Sequence, residues 1–460
     1  MSVPKRCVLV LTAVLLSSLT FPLTITGASL ALSGIREDLD AGLAATQWVV
    51  NGYNACFASF LVFTGSLADV LGRRRIYAAG LALFCASSAM SALADDVLVL
   101  NLVRAVGGVG AAAATTGGSS LLAATFQGAA RSRAFGLLGT VLGVGLAFGP
   151  TVGGVLVETL GWRAVFAVPA LIAGLVLLLV PALPALPGEP GRGIDWPGAA
   201  LFTSALFLLI FALDEGPALG FGNPLVVGGF VAALGLGVAF VAVERRRPDP
   251  LFQLDLLVNR RFLALAVAAG AHMGVLVPLL VYLPSYLISV VGLSAGQAGI
   301  WLLMLTLPTV FLPTAGAVVS RWLRPMSVVL GTVALSGIGA LALVTVGPDS
   351  TPLHLLVPLV LIGAGVGLSN GILDGLAIGS VPTEQAGAAS GTFNTARLVT
   401  ETIALAAVGA VLAAVGGGQL TGAAFTSGLH VASVLLSCAA AIAIGCVVVL
   451  LRRAELVEHR

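Results

Sequence analysis

Two carboxylates and two arginines sit inside stretches of sequence that are otherwise apolar. Asp374 lies in GLSNGILDGLAIG and Glu401 in NTARLVTETIALA, and neither belongs to a charged loop. Arg397 precedes Glu401 by four residues, and Arg104 falls within LVRAVGGVGAAA, about two turns into an apolar run. An ionised group in hydrocarbon is expensive, so such residues pair, protonate or line water. Burial favours the neutral form of a carboxyl, which yields a group able to take up and release a proton near neutral pH. The competing reading for Glu401 is an ion pair with Arg397, which the four-residue spacing puts on the same helix face. Asp374 is placed near a helix end and reads equally as a pairing group or as a proton carrier. Asn370 and Asn394 stand where they could hydrogen-bond these acids or a ligand.

Other polar residues within apolar runs are Gln47, Asn51, Asn54, His272 and Ser285. His272 either faces a cavity or bonds a backbone carbonyl. Tyr282 and Tyr286 flank Pro284 and form either an aromatic cavity wall or ordinary packing. Trp48 reads first as an interfacial anchor. The five cysteines and four histidines show no metal-ligand spacing, so no metal site is expected. There is no G-x4-G-K-[ST] loop, and Lys5 is the single lysine, which excludes nucleotide-driven work on that motif. No nucleophile elbow or HExxH pattern occurs, so an enzyme is not expected.

The elements that must position these groups follow from composition. Of 460 residues, 58% are hydrophobic and 9% charged, with a mean hydropathy of +1.08. A soluble domain carries about 25% charged residues. Lipid is therefore the solvent, and the backbone must pair internally as helices or a closed barrel. Continuous apolar runs of about 20 residues select helices. The runs are 8–33, 45–68, 76–94, 97–122, 131–157, 163–185, 197–214, 224–243, 262–290, 296–318, 327–347, 353–379, 388–415 and 427–451. The first continues without a clear cleavage site and reads as a retained helix. With both termini cytoplasmic, 18 of the 22 basic residues fall in cytoplasmic segments, and Arg36 and Arg163 fall outside. That asymmetry follows the positive-inside rule and supports fourteen crossings. The arginine clusters are topology anchors rather than a nucleic-acid surface.

GSLADVLGRRR at 65–75 and its weaker echo GAVVSRWLR at 316–324 each follow the second helix of a six-helix block. This predicts an N-terminal six-helix bundle (1–187), an inserted two-helix hairpin (188–250) and a C-terminal six-helix bundle (251–460). Duplicated halves are a common transporter design, with the substrate site near the midplane.

Four patterns together resemble the 14-helix drug:proton antiporters of the major facilitator superfamily over essentially the whole length. The 65–75 segment is similar to that family's loop between its second and third helices, with Gly65, Asp69 and Arg73 in place. Arg104 with the glycines after it resembles the fourth-helix pattern, though Gly107 stands where the family often has Gln. Gly136, Gly145, Gly149, Pro150, Gly153 and Gly154 fit the antiporter pattern G-x8-G-x3-G-P-x2-G-G. The first helix departs: Thr24 holds the position of the family's Asp, and Ser29 that of its Asn.

The resemblance implies a proton-coupled exporter of hydrophobic or amphipathic small molecules, working by alternating access as a monomer in the cytoplasmic (inner) membrane. It needs no cofactor beyond the proton gradient. It assigns Arg104 to proton transfer, through tuning of a nearby acid. With the first-helix Asp missing, Glu401 and Asp374, with Arg397, become the coupling candidates. Thr24, Asn51, Asn54, His272, Tyr282, Asn370 and Asn394 are the candidates for the substrate cavity. An importer, or a lipid or metabolite transporter on the same fold, is the alternative, and a non-transporting receptor a more distant one.

Overall fold

A few helix starts are fixed by side chains that satisfy the orphan amides of the first turn. The computed structural model describes residues 3–185, 195–247, 256, 258–369, 372–381, 386–416 and 421–458. In the first half the helices are α1 (Val3–Asp38), α2 (Leu43–Leu71), α3 (Arg73–Ala92), α4 (Val97–Thr125), α5 (Gly128–Leu160) and α6 (Ala164–Leu179). Then come α7 (Trp196–Leu219) and α8 (Pro224–Glu244). The second half contains α9 (Arg260–Ser289), α10 (Ala295–Trp301), α11 (Leu303–Trp322), α12 (Pro325–Ala342), α13 (Pro352–Ser369), α14 (Ile372–Gly379), α15 (Ala386–Gly416) and α16 (Gly422–Glu458). Among the described residues there is no strand. Asp96 caps α4 by accepting from the amides of Leu98 and Val99 at 2.8 and 3.0 Å. Asn259 caps α9 in the same way.

Among the described residues, 11 helical spans are long and apolar enough to cross a membrane. Each of the fourteen expected runs overlaps a helix, yet α2, α3 and α5 are not among the 11. Polar residues do interrupt two of these runs: α2 carries Gln47, Asn51 and Asn54, and α3 opens on three arginines and contains Ser87, Ser88 and Ser91. The run expected at 296–318 is divided at Leu302 into α10 and α11. Large apolar side chains such as Leu175, Leu178, Leu234 and Ile442 point outward, as they must when the surroundings are lipid.

The chain forms two compact units. The first comprises Met1–Ala212, Pro224–Leu251 and Ser294–Gly299, and the second Leu213–Asn223, Phe252–Leu293 and Ile300–Arg460. In the first unit α4 packs between α2 and α3, and α1 against α5 and α6. Glycine permits this closeness. A Cβ on Gly110 would lie 2.6 Å from the Phe84 amide, and one on Gly117 2.6 Å from that of Tyr77. Tyr77 then donates to the Ala13 carbonyl at 2.9 Å, tying α3 to α1. Asp195 caps α7 through the Gly198 amide and meets Arg247 at 3.4 Å, joining the ends of α7 and α8. In the second unit α9 packs on α15 and α16, with Phe262, Leu265, Val333 and Phe393 in their core, and α13 packs on α11 and α12.

Between α2 and α3 stands Gly72 alone, at φ 104°. An L side chain there costs about 1–3 kcal/mol. Gly72→Ala is expected to lower the melting temperature of the detergent-solubilised protein, while Gly143→Ala, with open space at its Cα, leaves it unchanged.

Candidate functional site

The second unit gathers the ionisable groups that its apolar helices carry. Arg397 and Glu401 are one turn apart on α15, and Asp374 is in the first turn of α14. Arg397 donates from Nη1 to Asp374 Oδ1 at 3.4 Å. The Arg397 side chain is 22% exposed and that of Asp374 47%. Glu401 is half-buried, and Arg397 is the charge that acts on it. The ion pair that forms is Arg397–Asp374, with Glu401 one turn further along α15 and in no ion pair within 4.0 Å among the described residues.

His272 on α9 lies within the electrostatic reach of the same arginine. It is 1% exposed, with Nδ1 3.2 Å from Ser336 Oγ and Nε2 3.4 Å from Thr332 Oγ1. Both ring nitrogens are thus met by hydroxyls of α12, not by a backbone carbonyl. Tyr282 is buried on α9, and Asn394 is exposed on α15. Asn370 lies outside the described residues.

In the first unit Arg104 is 2% exposed. Its Nε donates to the Val49 carbonyl at 2.9 Å, and its guanidinium carbon sits 4.2 Å from the Tyr53 ring centre and 5.2 Å from that of Phe166. No carboxylate lies within 4.0 Å of it among the described residues. Thr24, at the position where the resemblance leads one to look for an acid, is buried and donates to the Thr20 carbonyl at 2.9 Å. Asn51 and Asn54 are buried on α2.

The glycine pattern on α5 resolves into two faces. Gly145, Gly149 and Gly153 face α1, where a Cβ on Gly145 would be 3.1 Å from the Leu19 carbonyl and one on Gly153 2.6 Å from Gly27 Cα. Pro150 and Gly154 face the segment Ser294–Gly299, and Thr151 donates to the Gly299 carbonyl at 3.0 Å. Gly65 faces Thr116 of α4 across an ordinary van der Waals distance, and Arg73 opens α3. The side chain of Asp69 and the surroundings of Gly136 lie outside the described residues. The sequence left unnoticed Ser336 and Thr332 around His272, and Tyr53 and Phe166 over Arg104. Tyr53 adjoins Asn54, but nothing in its type marked it out.

A many-helix membrane protein that keeps ionisable groups within its apolar helices is what this fold and site define. Solved structures carry the same fold. The crystal structure of the POT family transporter PepTSo superposes with a TM-score of 0.68 at 15% identity, covering 97% of this chain and 98% of that one. A bacterial homologue of the human lysosomal transporter Spinster gives 0.67 at 17%, covering 98% of each chain. The Major Facilitator Superfamily model matches residues 14–404, and the chain belongs to that superfamily of membrane transporters. It is 33% identical over 391 residues to the multidrug resistance protein Stp of Mycobacterium tuberculosis (strain ATCC 25618 / H37Rv), spanning 84% of this chain and 72% of that protein. It is 31% identical over 412 residues to the tetracenomycin C resistance and export protein of Streptomyces glaucescens, spanning 88% and 75%.

Proposed function

We propose that this protein is a proton-coupled exporter of hydrophobic or amphipathic small molecules. It works by alternating access of two six-helix bundles, with α7 and α8 as an inserted hairpin. It acts as a monomer of fourteen crossings in the cytoplasmic membrane, with both termini inside. The observation that carries this reading is the Arg397–Asp374 ion pair at 3.4 Å inside the second unit, with Glu401 one turn from Arg397 on α15. With both acids ionised the three residues sum to one negative charge. A proton on Glu401 brings the sum to zero while the Asp374–Arg397 pair persists. A neutral cluster is the cheaper one to move within an apolar bundle. Proton binding from outside thus permits one half of the cycle, and release inside permits the other.

Export is supported by the glycine pattern on α5 and by relatives whose names state drug resistance and export. The test is flux in proteoliposomes with an imposed pH gradient, using a panel of amphipathic antibiotics and dyes. Uphill movement toward the acidic compartment is expected, and it collapses when the gradient is dissipated with an ionophore. Movement in the opposite sense under the same gradient would assign the chain to import.

A further inference from the structure

Arg104 carries a positive charge into the apolar interior of the first unit. It is 2% exposed, and no carboxylate lies within 4.0 Å among the described residues. One backbone carbonyl and two aromatic faces meet it, and its Nη2 has no hydrogen-bond partner. Cation–π contact is worth about 2 kcal/mol when desolvated, well below the penalty of burying an ion. Water can fill a hydrogen bond but cannot balance a charge.

The surroundings show what would balance it. On α2, the Tyr53 hydroxyl and the Asn54 Nδ2 are also buried without partners, in residues 0% and 4% exposed. Gln47 Nε2, two turns before Asn54, is a further unpartnered donor. On α4, Asn101 Nδ2 donates to the Ala45 carbonyl at 2.8 Å, and its Oδ1 is an unpartnered but neutral acceptor. The seam between α2 and α4 thus combines a fixed cation with Tyr53 against it, whose hydroxyl is unpartnered, and α2 carries a further unpartnered donor at the next residue, Asn54. Thr24, already bonded to its own helix, adds no charge.

We propose that this seam binds a small monovalent anion, with Arg104 as its counter-charge and Tyr53 and Asn54 as donors. The ion is either inorganic or the carboxylate of an organic compound, and the aromatic rings beside the guanidinium suit an organic acid. The site lies in the first unit, shares no group with the Asp374–Arg397–Glu401 cluster, and gives Arg104 a role other than the proton transfer that the resemblance implies.

Thermal melting of the purified full chain in detergent tests this, at constant ionic strength held with sodium sulfate. Sodium chloride, sodium benzoate and uncharged benzamide are titrated separately. The melting temperature should rise saturably with benzoate or with chloride, and not with benzamide. A rise with benzoate while chloride is inert identifies an organic acid as the occupant, and a rise with chloride an inorganic ion. Arg104→Gln should weaken the half-saturating concentration about ten-fold or more, because a hydrogen bond to a charged partner is lost. Arg104→Lys should retain a weaker response. Should Arg104→Gln fail to fold, Tyr53→Phe decides. It keeps the ring over the guanidinium and should weaken anion binding several-fold without lowering the melting temperature in sulfate alone. The proposal is overturned by an absence of any anion response, by equal shifts with benzoate and benzamide, or by a response unchanged in both Tyr53→Phe and the Arg104 variants. A Glu401→Gln protein that keeps the anion response but loses gradient-driven flux separates this site from the coupling cluster.

Discussion

Glu401→Gln is expected to abolish uphill export while leaving downhill exchange of the same compound intact. The substitution keeps the shape of the side chain and removes its capacity to carry a proton. In the mutant, the Arg397–Asp374 pair, 3.4 Å apart, sums to zero without any contribution from position 401. The cluster then rests permanently in the state that proton binding creates in the native protein, so conformational exchange continues without its coupling. Flux driven by an imposed gradient should fall to that of protein-free liposomes, and exchange should lose its pH dependence. Two companion variants sharpen the sign. Asp374→Asn leaves Glu401 as the sole acid of the cluster, so a proton there would create a net positive cluster. Coupled flux should then need a more acidic outside. Arg397→Gln leaves two acids without a cation, and unpaired charges of this kind cost several kcal/mol, so low expression or an acid-shifted optimum is expected. Wild-type uphill flux from Glu401→Gln would remove Glu401 from the mechanism.

Much of this cluster was legible in the sequence, because a carboxylate inside a run of leucine, isoleucine and alanine is visible without a structure. The four-residue spacing from Arg397 to Glu401 already placed the pair on one face. What the sequence could not supply was the partner from another element. Asp374 reaches Arg397 across 23 positions of chain, and only the packing of α14 on α15 closes that gap. His272 shows the same limit. Its type and burial were readable, but Ser336 and Thr332 are ordinary helix residues until α12 brings their hydroxyls to the ring. Arg104 was legible by its type, but its surroundings were not: the Tyr53 and Phe166 rings and the Val49 carbonyl reach it only through packing with α2 and α6. Fold class was the most legible feature, since it rests on composition summed over hundreds of residues. The number of crossings was less so: the sequence offers fourteen apolar runs, and 11 helical spans among the described residues are long and apolar enough to cross.

The second large effect is expected at Gly153. A Cβ there would lie 2.6 Å from Gly27 Cα, so α1 and α5 meet backbone to backbone and no flexible side chain can yield. Gly153→Ala should cost about 1–3 kcal/mol, the range for overpacking a tight contact, read as a lower melting temperature. Gly153→Leu should prevent the two helices from seating and eliminate transport. Gly143, on the same helix, has nothing within 4 Å of its ideal Cβ, so Gly143→Leu should leave melting and flux near native values. If Gly153→Leu transported as well as Gly143→Leu, the glycine pattern would have no packing role on α1. Gly154 adds a separate demand. It is one residue on, about 100° around the helix, and its Cβ would meet the Ala295 carbonyl instead of α1. The paired glycines at the end of the pattern thus answer to two different neighbours. Gly154→Ala should therefore disturb the Ser294–Gly299 contact first, and a double variant with Gly153→Ala, at adjacent positions of one helix, should deviate from additivity.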